Sequence, residues 1–73
     1  MGVLCERATR KTSLGRREKE VLAELVDGRT EVDIAGRLGI SRHTVHAHVR
    51  SVYMKLNVHS RVELIHRVIA LAD

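Results

Sequence analysis

The chain has 73 residues with no Pro, Trp or Phe and one Tyr, so it makes a single small domain whose core must come from Leu, Val, Ile and Ala. Its one cysteine, Cys5, excludes an internal disulfide, and no apolar run approaches the roughly 18 residues of a membrane span; a reducing cytoplasm is the expected compartment. The net charge of +4 is unevenly placed: residues 1–33 balance seven Lys/Arg against seven Asp/Glu, whereas Ile34 to Val62 contains no acid and carries Arg37, Arg42, Arg50, Lys55 and Arg61. Four of the five histidines, His43, His46, His48 and His59, lie in that same stretch. An acid-free segment of this length calls for an anionic partner, of which a phosphate backbone is the commonest.

Residues 1–13 mix small, charged and apolar types without periodicity and are expected to be a flexible arm or the remnant of a linker. Glu6 stands where a myristoylation signal needs Ser or Thr, which argues against a lipid anchor. Domain structure is expected over 14–73. Val21, Leu22, Leu25 and Val26 share one face of a first helix from about Arg16 to Asp27, with Gly15 as its N-cap, Glu18 at the positive end of its dipole and Gly28 as its stop. Thr30 opens a second, two-turn helix with Asp33 three positions on, a shortened capping box, and Ile34, Ala35 and Leu38 give it a core stripe. Gly39 is expected at positive φ, and Gly39-Ile40-Ser41 makes a tight connection into a third helix. Two helices joined by such a turn form a helix-turn-helix, here over about 31–50.

The third helix, about 42–56 and capped by Ser41, organises the rest. Val45, Val49, Val52, Tyr53 and Leu56 lie on one face, at i, i+4, i+7, i+8 and i+11. His43, His46, Ala47, Arg50 and Met54 share a different face, which offers donors, a cation and one small residue that permits close approach. A helix that enters the DNA major groove needs such a face. Arg50 suits a bidentate guanine contact and Ala47 a thymine methyl, while Lys55, Arg42 and Thr44 are candidates for phosphate contacts, as is Thr30 at the start of the second helix. Asn57-Val58-His59 breaks the third helix, and Ser60 caps a fourth that runs to about Leu71. Its apolar residues spread over about 180°, so half of that arc needs a cover from outside the bundle. Val62, Ile65, Ile69 and Ala72 are therefore the expected dimer interface. The expected fold is all-α, a four-helix bundle containing a helix-turn-helix.

These motifs resemble the LuxR-type (GerE-like) helix-turn-helix domain of bacterial transcription regulators. Leu14-Gly15-Arg16-Arg17-Glu18-Lys19-Glu20-Val21-Leu22 stands in place of the family's Leu-Thr-x-Arg-Glu-x-Glu-Val-Leu. Gly28-Arg29-Thr30-Glu31-Val32-Asp33-Ile34-Ala35 follows its Gly-x-Ser-Asn-x-Glu-Ile-Ala. Leu38-Gly39-Ile40-Ser41-Arg42-His43-Thr44-Val45-His46-Ala47-His48 matches its most specific segment, Leu-x-Ile-Ser-x-x-Thr-Val-x-x-His, and Lys55-Leu56-Asn57-Val58-His59-Ser60-Arg61-Val62-Glu63 matches its ending. The resemblance covers about 14–72 without a gap. It implies a tetrahelical domain with a recognition helix in the major groove, base contacts at His46, Ala47 and Arg50, and a homodimer through the last helix on a two-fold-related site in double-stranded DNA. RNA polymerase is a further partner for such a regulator. The chain departs from the family at Gly15, where Thr is usual, at Glu31, where Asn is usual, and at His46, where Lys is usual.

Nothing in the sequence supports catalysis: it has no paired carboxylates, no phosphate-cradling glycine loop and no Cys/His setting beyond chance. Although His43 and His46 are three apart on a helix, a closed zinc site takes four ligands and Cys5 is distant, so neither metal nor cofactor is expected. Two alternatives remain open on sequence alone. One is a sigma-factor-like promoter-recognition module, which fits Thr44-Val45-x-x-His48 less well. The other is a helical protein-interaction module that does not bind DNA. The chain is expected to be either a free-standing regulator or an excised effector domain of a response regulator.

Overall fold

The computed structural model describes residues 2–10 and 12–72, with side chains for all of these except 2–4 and 6. The described residues form helices α1 (Gly2–Thr9), α2 (Arg16–Val26), α3 (Glu31–Leu38), α4 (Arg42–Leu56) and α5 (Arg61–Ala72), with no strand. The four helices expected from the sequence are α2 to α5, and their ends are set by local chemistry. Glu18 accepts the Gly15 N–H at 2.8 Å at the start of α2. At its other end Gly28 takes φ 88°, Gly28 N–H bonds Leu25 C=O and Arg29 N–H reaches back to Glu24 C=O, a Schellman close that favours glycine. Thr30 and Asp33 form the complete reciprocal cap of α3: Asp33 N–H donates to Thr30 Oγ1 and Thr30 N–H to the Asp33 carboxylate, each at 3.2 Å. The Thr30 N–H, and secondarily the Thr30 hydroxyl, hold the Asp33 carboxyl below its ordinary pKa. Ser41 Oγ accepts Thr44 N–H at 3.0 Å to open α4, which ends at Asn57 in the left-handed conformation, and Ser60 Oγ accepts Glu63 N–H at 3.1 Å to open α5.

The core is aliphatic throughout. Val21, Leu22 and Leu25 of α2 meet Ile34 of α3, Val45, Val49, Val52 and Leu56 of α4, and Leu64 and Val68 of α5. Helices this short are marginal alone and hold together by burying these faces jointly.

The amino-terminal segment corrects the sequence reading. In place of a flexible arm there is α1, which packs chiefly on α5 and also on α2. Cys5 and Ala8 are buried within the core cluster, with Thr9 buried beside them, three residues on one turn-spaced face. Part of the wide apolar arc of α5 thus finds its cover inside the chain. Ala72, expected at a dimer interface, is 3% exposed and belongs to the interior, and Leu71 packs against the core.

Candidate nucleic-acid interface

The site is built on the turn between α3 and α4. Gly39 takes φ 68°, a left-handed conformation that reverses the chain in one residue, and Ile40 N–H closes onto Ala35 C=O at 3.1 Å while its side chain packs against the core. This fixes α3 against α4, whose buried valines determine which face is left outside. That outer face carries His43, His46, Ala47, Arg50 and Met54, all exposed, with Arg42 and Thr44 exposed at its beginning. Arg42, His43 and Arg50 make no hydrogen bond or ion pair with any described residue, so their donors are free. Thr44 Oγ1 lies 2.8 Å from Ser41 Oγ and belongs to the cap.

Two acids of α2, Glu18 and Glu24, are tied up away from this face. Glu24, nearly buried, is clamped by Arg37 at 2.5 Å and by Arg29 at 3.2 Å, and the Arg37 guanidinium is raised above its ordinary pKa by that bond. Glu18 accepts from Lys55 Nζ at 2.8 Å, from Ser51 Oγ and from Gly15 N–H. Those donors, Lys55 first, lower its carboxyl to a pKa of about 2. Arg61, at the start of α5, donates to Leu25 C=O at 3.2 Å and Arg29 C=O at 2.8 Å and so caps the carboxyl end of α2. Sequence reasoning missed these three long-range ties. Their only trace is the charge of residues that a helical wheel places at the margin of the apolar face.

Two of the expected contacts take a different form. Lys55 faces α2 rather than the outside of α4, because it lies one turn beyond Ser51 on the side that meets Glu18. Its Nζ is tied to the Glu18 carboxylate at 2.8 Å, with 38% of the side chain exposed. His46 remains on the outer face, 57% exposed, but its Nδ1 lies 3.2 and 3.4 Å from the two oxygens of Glu31 on α3. Thr30 is exposed at the amino end of α3, with its N–H and Oγ1 engaged in the cap. Val62 and Ile69 of α5 are exposed, at 64% and 45%, and Ile65 is half-buried between them. No three His, Cys, Asp or Glu side chains among the described residues come together as metal ligands, and no helix is long and apolar enough to cross a membrane.

A short capped helix, a glycine turn and a longer helix with a donor-rich outer face define a helix-turn-helix protein. The pattern of the luxR family of bacterial regulatory proteins matches residues 12–68, and the chain belongs to that family. DNA binding and transcription regulation go with that membership. The match takes in the Thr44-Val45-x-x-His48 and Lys55-Leu56 segments.

Among curated relatives, the chain is 51% identical over 49 residues to the probable transcriptional regulatory protein SgaR of Hyphomicrobium methylovorum, covering 67% of this chain and 23% of that protein. It is 42% identical over 65 residues to the uncharacterized response regulatory protein YgeK of Escherichia coli, covering 84% of this chain and 44% of the relative. With the transcriptional regulatory protein UhpA of Salmonella typhimurium it shares 41% identity over 61 residues, covering 84% of this chain and 31% of the relative. The chain thus spans less than half the length of these relatives. No solved structure shows a significant match.

Proposed function

We propose that the chain recognises a specific sequence in double-stranded DNA by laying α4 in the major groove, as the effector part of a response-regulator-type transcription regulator in the cytoplasm. The observation that carries this reading is the outer face of α4, where His43, His46, Ala47 and Arg50 stand exposed while Glu18 and Glu24 are clamped elsewhere. Arg50 has its whole fork free for guanine O6 and N7. Ala47, beside it, lets the helix approach and meets a thymine methyl, and His43 and His46 complete the base-facing set. Arg42 and Thr44, at the positive end of the α4 dipole, and Thr30, at that of α3, flank this set as phosphate contacts.

The protein acts as a homodimer on a two-fold-related site through Val62, Ile65 and Ile69, which stand at i, i+3 and i+7 on α5 and leave an apolar stripe on the surface. Val32, 56% exposed on α3, offers an apolar contact for a protein partner such as RNA polymerase. The test is selection of a DNA site from a random pool with the purified chain, repeated with Arg50→Ala. The variant is expected to bind the selected site about 1–3 kcal/mol more weakly and to lose preference at one base pair per half-site. Identical base profiles for the two proteins reject α4 as the reading helix, and binding to no duplex at any salt concentration returns the chain to a protein-interaction module.

A further inference from the structure

Glu31 is the one described acid that reaches the outer face of α4. It is the first residue of α3, and its carboxylate meets Nδ1 of His46 across the helix-turn-helix, at 3.2 Å from one oxygen and 3.4 Å from the other. An ionised carboxylate only accepts hydrogen bonds, so the ring nitrogen that faces it must carry the hydrogen. A neutral imidazole has a single N–H. With that hydrogen on Nδ1, Nε2 is left as a lone pair at the far side of a ring that is 57% exposed.

We propose that Glu31 is a specificity-determining positioning residue: by holding Nδ1 of His46 it presents Nε2 to the DNA as a hydrogen-bond acceptor, and so selects a base with an amino group, adenine or cytosine, at the pair that His46 meets. This rests on the placement of α4 in the major groove argued above. In that groove adenine offers its N6 amino group and cytosine its N4 amino group, whereas guanine O6 and N7 and thymine O4 are acceptors that would confront the lone pair. Glu31 contributes no contact of its own to the base. Its effect passes through the ring it orients, and the fixed ring also loses less rotamer freedom on binding. Arg50, one turn further along α4, reads its own base independently of this pair.

The proposal is tested on the whole chain at pH 8.5, above the ordinary titration range of histidine. Long-range 1H–15N correlation spectra of the free protein are expected to show His46 protonated at Nδ1, and Glu31→Ala is expected to return it to the Nε2–H form that unconstrained histidine prefers. Binding is then measured to the selected site and to all base substitutions in it. Wild type is expected to disfavour guanine or thymine at the His46 position by about 5-fold. Without Glu31 the ring is free to take either tautomer in the complex, so Glu31→Ala, like His46→Ala, should flatten that preference, with no further loss in the double variant. Glu31→Lys, which donates to Nδ1 instead of accepting from it, should invert the preference toward guanine or thymine.

A wild-type ring protonated at Nε2 overturns the proposal. So does a Glu31→Ala protein that binds every sequence more tightly with an unchanged base profile, because Glu31 is then only a charge that repels phosphate. If His46→Ala leaves the profile intact, His46 is not a base reader and the proposal falls. The placement of α4 is judged separately by Arg50→Ala.

Discussion

A carboxylate at position 18 meets three donors at once: the Gly15 N–H on its own helix, and Ser51 and Lys55 on α4. Donors aimed at the charged form lower its pKa from 4.5 to about 2, so the ionised group binds the folded state better than the unfolded one. Its stabilisation is fully present above pH 4.5 and is lost as pH falls toward 2. With allowance for the water that reaches the half-exposed Lys55, the contribution is about 2 kcal/mol. Glu18→Gln should lower stability by about that amount at pH 7 and show a smaller loss than wild type between pH 5 and 2.5. Urea unfolding followed by circular dichroism at several pH values checks both effects. Lys55→Ala should likewise cost stability and leave the salt dependence of DNA binding nearly unchanged, the reverse of what a phosphate contact would give. The sequence marks Glu18 as a helix-dipole partner, which it is. That it also joins α2 to α4 depends on residues 33 and 37 positions away.

Helix ends are the most legible elements of this chain. Thr30-x-x-Asp33, Ser41, Gly28 and Gly39 act within one turn of themselves, and each forms the cap its residue type and spacing predict. Helix α1 has no such signature and buries small residues, Cys5 and Ala8, whose pattern is weak on a wheel. Its complement was visible instead, as the surplus apolar arc of α5. Burial, and secondarily the charge of Asp27, push the Cys5 thiol above its ordinary pKa, so its reactivity reports whether α1 is docked. In native protein at pH 7.5 a disulfide reagent should modify Cys5 at least about 100-fold more slowly than in urea, where the thiol is fully exposed. Modification at the same rate in both would mean that α1 does not stay on α5.

Across the whole molecule, charge is partitioned. Glu18 and Glu24 of α2 are consumed in ties to α4 and α3, Glu20 pairs with Arg16 and Arg17 on α2 itself, and the free guanidinium groups of Arg42 and Arg50 are left on the outside of α4. The remaining stripe of Val62, Ile65 and Ile69 is narrower than the arc in the sequence, and it is what a second copy has left to cover. Ile69→Lys should change the stability of the monomer by no more than about 0.5 kcal/mol, since the side chain is already 45% exposed. In a two-fold dimer it removes a buried Ile twice, each worth up to about 1.5–3 kcal/mol. Sedimentation of the DNA complex should then show one chain per half-site without cooperativity, and a variant that dimerises like wild type places the interface elsewhere. The chain by itself determined the four core helices, their caps, the helix-turn-helix and the face of α4 that looks outward, because periodicity and capping are local and a helix turns its apolar side inward whatever it packs against. Only the tertiary structure decided that Lys55 serves Glu18, that Glu31 holds His46, that α1 packs on α5 and that Ala72 is interior. Each of these depends on which helices become neighbours, and one side chain or face has several chemically acceptable partners until the packing brings one of them within reach.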